Sequence, residues 1–487
     1  MNLILLTSFA SLLFTTILLF IPIMSTPSYE SVMALNIFIL LFYTYLSYKM
    51  QKIFLLEDFV QTSLSIGLIL FSIPLIILVI SGLFKGFCPG HYGILFYLID
   101  IPPLLFLLSS ISLICKRLNL KNYIVSMLFL ALIISSLLLN IYILINQPTT
   151  RFYSIFWGFF SGPIYDEDVR PDSQLLMYKL FSTLLSSIVW FTLYKKTSAK
   201  AFISILLLIP TLLVVDEIYK NESTRSRTYH HLGAKIETEH FEIIYPPDQD
   251  WSKDIGVISQ LHEYYYSQLK RELKHSGDIK IRSYIFRNED EKQELTGAGR
   301  TQIAKPWLYE IYLTPIGLTD SKLKHEISHI FVGSLIDSPL GLYGRFRGII
   351  PNMAVVEGIS VALEPETNIL SLHQKAAILL KEDKLPHFDN LFNISKFYSY
   401  SGSISYSTSG SFIRYLIDNY GVEKFKQILK YEEFDRVYGK GITEVEREYR
   451  EFLKGIPISP QQSYWASVVY RSKGLIDKRC PHEVATL

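Results

Sequence analysis

Up to about residue 219 the chain is a series of long charge-poor apolar stretches, and beyond it apolar and polar positions mix at strand and helix periods. These charge-poor stretches fall at 3–24, 32–48, 60–84, 93–115, 123–145, 175–194 and 197–215, with Asp100, Lys179 and Lys200 the charges inside them. Each approaches the roughly 20 residues that cross a hydrocarbon core about 30 Å thick, so the pattern predicts about seven membrane spans. In the seventh only Ala201 to Val215 is free of charge, and Lys200 must snorkel. The first has no basic flank and no small-residue cleavage site, and reads as a retained span rather than a signal peptide. Residues 152–165 are aromatic but too short to cross, which predicts an interfacial or re-entrant segment.

The second half reads differently. The run His240-Phe241-Glu242-Ile243-Ile244-Tyr245, closed by Pro246 and Pro247, predicts a strand. A helix is expected over 250–275, strands over 280–286 and 307–313, and mostly helix from Lys322 onward. Strands first and helices later indicate an α+β domain with a small antiparallel or mixed sheet and a helical C-terminal part.

Charge separates the two halves by solvent. Only 22 of the first 219 residues are Lys, Arg, Asp or Glu, against 70 of the remaining 268, and ten of the 11 histidines lie in the second part. The expected organisation is an α-helical multi-pass membrane domain over 1–219, a linker over 220–238, the α+β domain over 239–455 and a tail over 456–487. A net charge of +2 with no Lys/Arg-rich run leaves no electrostatic footprint for nucleic acid. Cys88, Cys115 and Cys480 form no metal-binding spacing and no disulfide framework.

Basic residues in short loops set the orientation. Lys49 and Lys52, then Lys116, Arg117 and Lys121, then Lys195, Lys196 and Lys200 fall in alternate loops, which become cytoplasmic. Seven spans then place everything after Val215 outside, together with Cys88 and Cys480, so that a disulfide between those two is permitted by compartment. Asp100, in the fourth span beside Pro102 and Pro103, is a candidate functional acid; the alternative is a helix broken by the prolines with the carboxylate at the interface. The acidic loop with Asp166, Glu167, Asp168 and Asp172 either holds a hard cation or is solvated.

The segment Lys324-His325-Glu326-Ile327-Ser328-His329 carries the chemistry. On a helix capped by Asp320, His325 and His329 project from one face a turn apart, a spacing that suits two nitrogens on one zinc ion. Glu326 can then reach water at the metal rather than the metal itself. Two histidines need a third ligand, and Glu357, near the start of an apolar helix, is the candidate. A surface glutamate and an unliganded histidine pair are the alternative.

With these residues in view, the segment from about 239 to 453 resembles the peptidase-MA-like gluzincin domains. The resemblance rests on His240 to Tyr245, His325-Glu326-Ile327-Ser328-His329, Val356-Glu357-Gly358-Ile359-Ser360, the stretch from Tyr406 to Leu416, and Tyr420-Gly421-Val422-Glu423-Lys424. It implies a zincin-like fold, Zn2+, a water nucleophile and peptide or protein substrates, with His325, His329 and Glu357 as ligands and Glu326 as base. Some gluzincins carry an acid four residues after the glutamate ligand, where this chain has Val361. The partner that orients a ligand imidazole must then be Glu364 or a backbone carbonyl.

Zinc would polarise the scissile carbonyl and acidify the attacking water, with Glu326 carrying the proton to the leaving amine. Tyr406 is the candidate donor to the oxyanion, with a packed core tyrosine as the alternative. Arg345 and Arg347 either bind a substrate carboxylate or are solvated, and residues 307–313 form either a peptide-binding edge strand or an interior one. An intramembrane protease is disfavoured, because Ser321, Lys322 and Lys324 directly precede the histidines. The competing reading is a non-catalytic membrane sensor or scaffold, for which Glu326 would be superfluous.

Overall fold

The computed structural model describes residues 3–53, 55–87, 91–160, 169–195, 225–318, 320–365, 369–431, 433–470, 473–475, 477, 478 and 480. The chain forms two units, one of Met1–Arg227 with Leu295–Ala298 and Lys478–Leu487, the other of Thr228–Glu294 with Gly299–Asp477.

In the first unit the apolar runs become helices α1 (Leu3–Leu18), α2 (Tyr29–Met50), α3 (Leu56–Lys85), α4 (Tyr92–Arg117), α5 (Asn122–Asn146) and α6 (Ser173–Lys195). Five of them, α2 to α6, are long and apolar enough to cross a membrane. The first expected span falls short: α1 has 16 residues and ends at Leu18. The reason is local, since Pro22 disfavours helical backbone at Ile21 and opens a separate turn, Pro22–Met24. The expected seventh span, 197–215, lies outside the described residues, as do Asp166, Glu167, Asp168 and Cys88. Cys115 is buried and free, and Cys480 is disulfide-bonded.

Helix α4 is the buried centre of this unit, while α3 and α5 expose Leu68, Leu83, Phe84, Met127 and Leu138. An apolar rim around a buried helix suits a lipid solvent, which is as apolar as those side chains. Pro102 and Pro103 do not break α4, which runs through both. Asp100 is buried and paired with Lys179 of α6 at 2.7 Å, so the broken-helix reading is replaced by an internal ion pair. Part of the aromatic stretch forms a hairpin of β1 (Phe152–Ser154) and β2 (Gly158–Phe160), paired Phe152 to Phe160.

The second unit holds a five-stranded sheet of β3 (Ala234–Glu237), β4 (Phe241–Tyr245), β5 (Ile281–Ile285), β6 (Ile303–Lys305) and β7 (Glu310–Leu313), in the order β3-β4-β5-β7-β6. It is mixed: β4, β5 and β7 are parallel, and β3 and β6 are antiparallel to their neighbours. Strand β3 lies inside the stretch read as linker. Strand β7 is interior, which selects the interior reading of 307–313 over the edge reading; the edges are β3 and β6. All four β7 residues are buried. Tyr309, left-handed at φ 54, together with the turn Pro306–Leu308, returns the chain from β6 into β7.

Two helices, α7 (Ile255–Glu272) and α8 (Asp320–Leu335), pack together and bring Tyr266, Leu269, Leu323, Ile327 and Phe331 into the core with β4 and β5. The remaining part is helical: α9 (Met353–Leu363), α10 (Leu372–Lys381), α11 (Gly402–Tyr420), α12 (Val422–Tyr431) and α13 (Ile442–Lys454). At their centre Phe388 stacks on Phe412, and Tyr449 packs against Phe412 edge to face and against Tyr415 at a tilt. Ala466 and Tyr470, from the stretch read as a tail, join the same core.

Candidate metal centre

Helix α8 is amphipathic in the sense that matters here. Leu323, Ile327, Ile330 and Phe331 are fully buried, and the histidines occupy another face of the same helix. Their rings meet edge to face, 4.8 Å between centroids, as a spacing of four residues dictates. Helix α9 starts where Asn352 accepts a hydrogen bond from the Val355 amide, which puts Glu357 in its second turn. The glycine beside it permits the helix packing: a Cβ on Gly358 would lie 2.7 Å from the Cβ of Ser409 on α11.

This packing brings His325, His329 and Glu357 together, with one donor atom from each within 4.8 Å of the others. Glu357 Oε2 lies 3.4 Å from Nε2 of His325 and 3.7 Å from Nε2 of His329. Ligands at about 2.0 Å from a tetrahedral ion are about 3.3 Å apart, so these separations match a shared cation. The other face of each ring is also engaged. Nδ1 of His325 is 2.7 Å from Glu364 Oε1, and Nδ1 of His329 is 3.1 Å from the Ser360 hydroxyl, which also receives a hydrogen bond from Ser328 at 2.7 Å. With protons on both Nδ1 atoms, both Nε2 lone pairs would be available to an ion shared with the Glu357 carboxylate. The donor set therefore fits a metal ion, and the three residues could hold one.

Electrostatics agree with the geometry. Burial works against charge on His325, yet hydrogen bonds to Glu357 and Glu364 prevail and hold its pKa well above the ordinary value. His329 is pushed down to about 4 by burial. Burial also opposes ionisation of Glu357, but His325 and His329 keep that carboxyl below its usual range. The carboxylates thus hold a positive charge at this point, on the His325 ring or on a cation in its place. Glu326 is 6% exposed, and burial lifts its carboxyl to about 7, with His325 and Lys292 opposing the rise.

Glu364 is the alternative the sequence offered for orienting an imidazole, and it does so for His325. Val361 occupies the position of the absent acid and packs on Gly410. Ser360 and Lys292 were missed. Ser360 had a weak signal, the one polar residue besides Glu357 in an apolar helix; Lys292, fully buried and hydrogen-bonded to the Gly299 and Thr301 carbonyls, had none. Tyr406 is half-buried on α11, the helix that packs along α9, with its ring 6.0 Å from that of Phe397. Arg345 is exposed and Arg347 is bound to Asp337 at 2.8 Å in solvent, which is the solvated-loop reading.

No protein-family model matches the chain, and no curated protein matches it significantly.

Proposed function

We propose that this chain is a multi-pass membrane protein carrying a gluzincin-type zinc metallopeptidase domain that hydrolyses peptide bonds outside the cytoplasm. The convergence of His325, His329 and Glu357, with both Nδ1 atoms engaged by Glu364 and Ser360, carries the reading. Two imidazoles and one carboxylate are a known catalytic zinc set, leaving one coordination position open. The ion, when bound, supplies Lewis-acid polarisation of the scissile carbonyl and lowers the pKa of water.

The chain's residues do the rest. Glu326 takes a proton from the attacking water and delivers it to the leaving amine. Tyr406 is assigned to the developing oxyanion. The substrate is a peptide or protein, laid extended along β6, the outer strand of the sheet next to α8. The alternating basic loops support an extracytoplasmic domain. So does the disulfide at Cys480, because such bonds persist mainly in oxidising compartments.

The test is metal analysis of the full-length protein purified in detergent. One zinc per chain is expected in the wild type and none retained stoichiometrically in His329→Ala. Full occupancy in the variant, or no zinc in the wild type, overturns the site. Zinc binding without cleavage of any member of a peptide library transfers the domain to the sensor or scaffold reading.

A further inference from the structure

The first unit contains more polarity than an anchor requires. Asp100 lies eight residues into α4, about 12 Å along its axis, and with Lys179 forms an ion pair in which both side chains are 2% exposed. Lys179 also donates to the Ser154 carbonyl at 3.1 Å. Asn36 of α2 is 1% exposed, and neither its amide nitrogen nor its oxygen has a hydrogen-bond partner among the described residues. The same point in space joins these groups. A Cβ on Gly158 would lie 2.5 Å from Asn36 Nδ2 and 3.1 Å from Asp100 Oδ2, so a side chain there would fill the ground between amide and carboxylate.

From this pair a polar seam follows the helices. On α6, Lys179, Ser182, Ser186 and Trp190 recur every three or four residues, hence on one face. The Ser182 and Ser186 hydroxyls are buried and unpartnered among the described residues. Trp190 Nε1 donates to Ser109 at 3.2 Å, Ser109 meets Ser63 at 2.9 Å, and Ser63 meets the Tyr43 hydroxyl at 2.9 Å. Next, Ser47 contacts Ser112, Gln51 donates to the Ser112 carbonyl at 3.2 Å, and Lys116 donates to the Gln51 carbonyl at 3.0 Å. On α2 the participants Asn36, Tyr43 and Ser47 share a face, and Gln51 caps the C-terminal end of the helix. Charged groups also flank the seam: Arg151 and Asp172, 3.3 Å apart, before α6, with Tyr153 donating to Asp172 at 2.6 Å, and Lys116 at the far end of α4.

Hydroxyls paired between helices are explained by packing alone. A buried charge pair and an unpartnered buried amide are not, because burial in an apolar solvent disfavours both.

We propose that this seam is a proton path, and that the membrane unit exchanges protons between the Asp172 end and the Lys116 end through Asp100 and Lys179, with water carrying the proton past the Ser182 and Ser186 hydroxyls because the Trp190 indole N–H only donates. The elementary step turns the Lys179 ammonium, 2.7 Å from Asp100 Oδ1 but not aligned on it as a hydrogen bond, then breaks one N–H bond and forms an O–H bond on the carboxylate, leaving a neutral amine and a neutral acid. A proton arriving at Lys179 and one leaving Asp100 restore the pair, and nothing is oxidised or reduced. Neutralising the pair in this way is the least unfavourable way to move charge through the apolar interior.

The test uses the full chain reconstituted into liposomes with a trapped pH-sensitive dye, a potassium gradient and valinomycin. Internal acidification is expected at least ten times faster than in protein-free vesicles. Asp100→Asn should return the rate to the protein-free level, and Asn36→Leu should lower it severalfold. If Asp100→Asn does not elute as folded protein in detergent, the double variant Asp100→Asn/Lys179→Gln, a neutral hydrogen-bonding pair, replaces it with the same expectation. Wild-type vesicles no faster than protein-free ones, or a folded neutral-pair variant with the full wild-type rate, overturn the proposal.

Discussion

Glu364 accepts a hydrogen bond from Nδ1 of His325 across 2.7 Å, and through it the C-terminal end of one helix fixes the ring tautomer on another. Partners of this kind typically govern metal affinity by 10 to 100-fold. Glu364→Leu should therefore weaken zinc binding by about that factor while the protein still folds, and Glu364→Gln, which keeps an acceptor oxygen, should fall between. A chelator competition titration on the full-length protein measures it; equal affinity in all three proteins would remove Glu364 from the site.

Glu326→Gln preserves shape but cannot take a proton. It should retain one zinc per chain and lose about 10² to 10⁴-fold in kcat/KM. A variant of wild-type activity on the peptide that the wild type cleaves would mean that another residue is the base.

Loss of one oxyanion donor typically lowers kcat by about 10² to 10³. Tyr406→Phe should fall in that range with KM little changed, since the ring that packs on Phe397 is kept. An unchanged kcat makes Tyr406 a core residue only.

His262 gives a pH dependence outside the metal centre. It is buried on α7, with Nδ1 donating to the Ile258 carbonyl at 2.8 Å and Nε2 accepting from Ser283 at 3.1 Å, and burial lowers its pKa from 6.5 to about 4. Between those values the unfolded chain binds more protons than the folded one. Stability is therefore complete above about pH 6.5 and is lost as pH falls towards 4, by roughly 3 kcal/mol for this group. Denaturant unfolding in detergent at several pH values should show that slope, and His262→Gln should flatten it. Identical slopes would show that His262 titrates normally.

Sidedness is open to chemical labelling. Asp250 has a 99% exposed side chain in the second unit, so a cysteine placed there should react with a membrane-impermeant thiol reagent in intact cells. Free Cys115 is buried and should stay silent. Labelling of Asp250→Cys only after lysis would place the domain in the cytoplasm.

What the sequence determined by itself is local. Helical periodicity alone puts His325 and His329 on one face, and the apolar runs alone call for membrane-length helices, because backbone geometry sets both over a few turns. Strand β4 and helix α7 were legible for the same reason. Pairings between distant elements were not. A run such as 307–313 reads equally as an edge or an interior strand, and only the sheet order puts β6 outside it and buries β7. Glu357 was nameable by residue type, but its meeting with the histidines depends on the packing of α9 against α8 and, at Gly358, against α11. The same holds for Ser360 on His329, Lys292 near Glu326, and Lys179 opposite Asp100, 79 residues along the chain. Each contact joins side chains whose distance is decided by how helices and strands pack, and that depends on the shape of the whole core rather than on spacing along any one element.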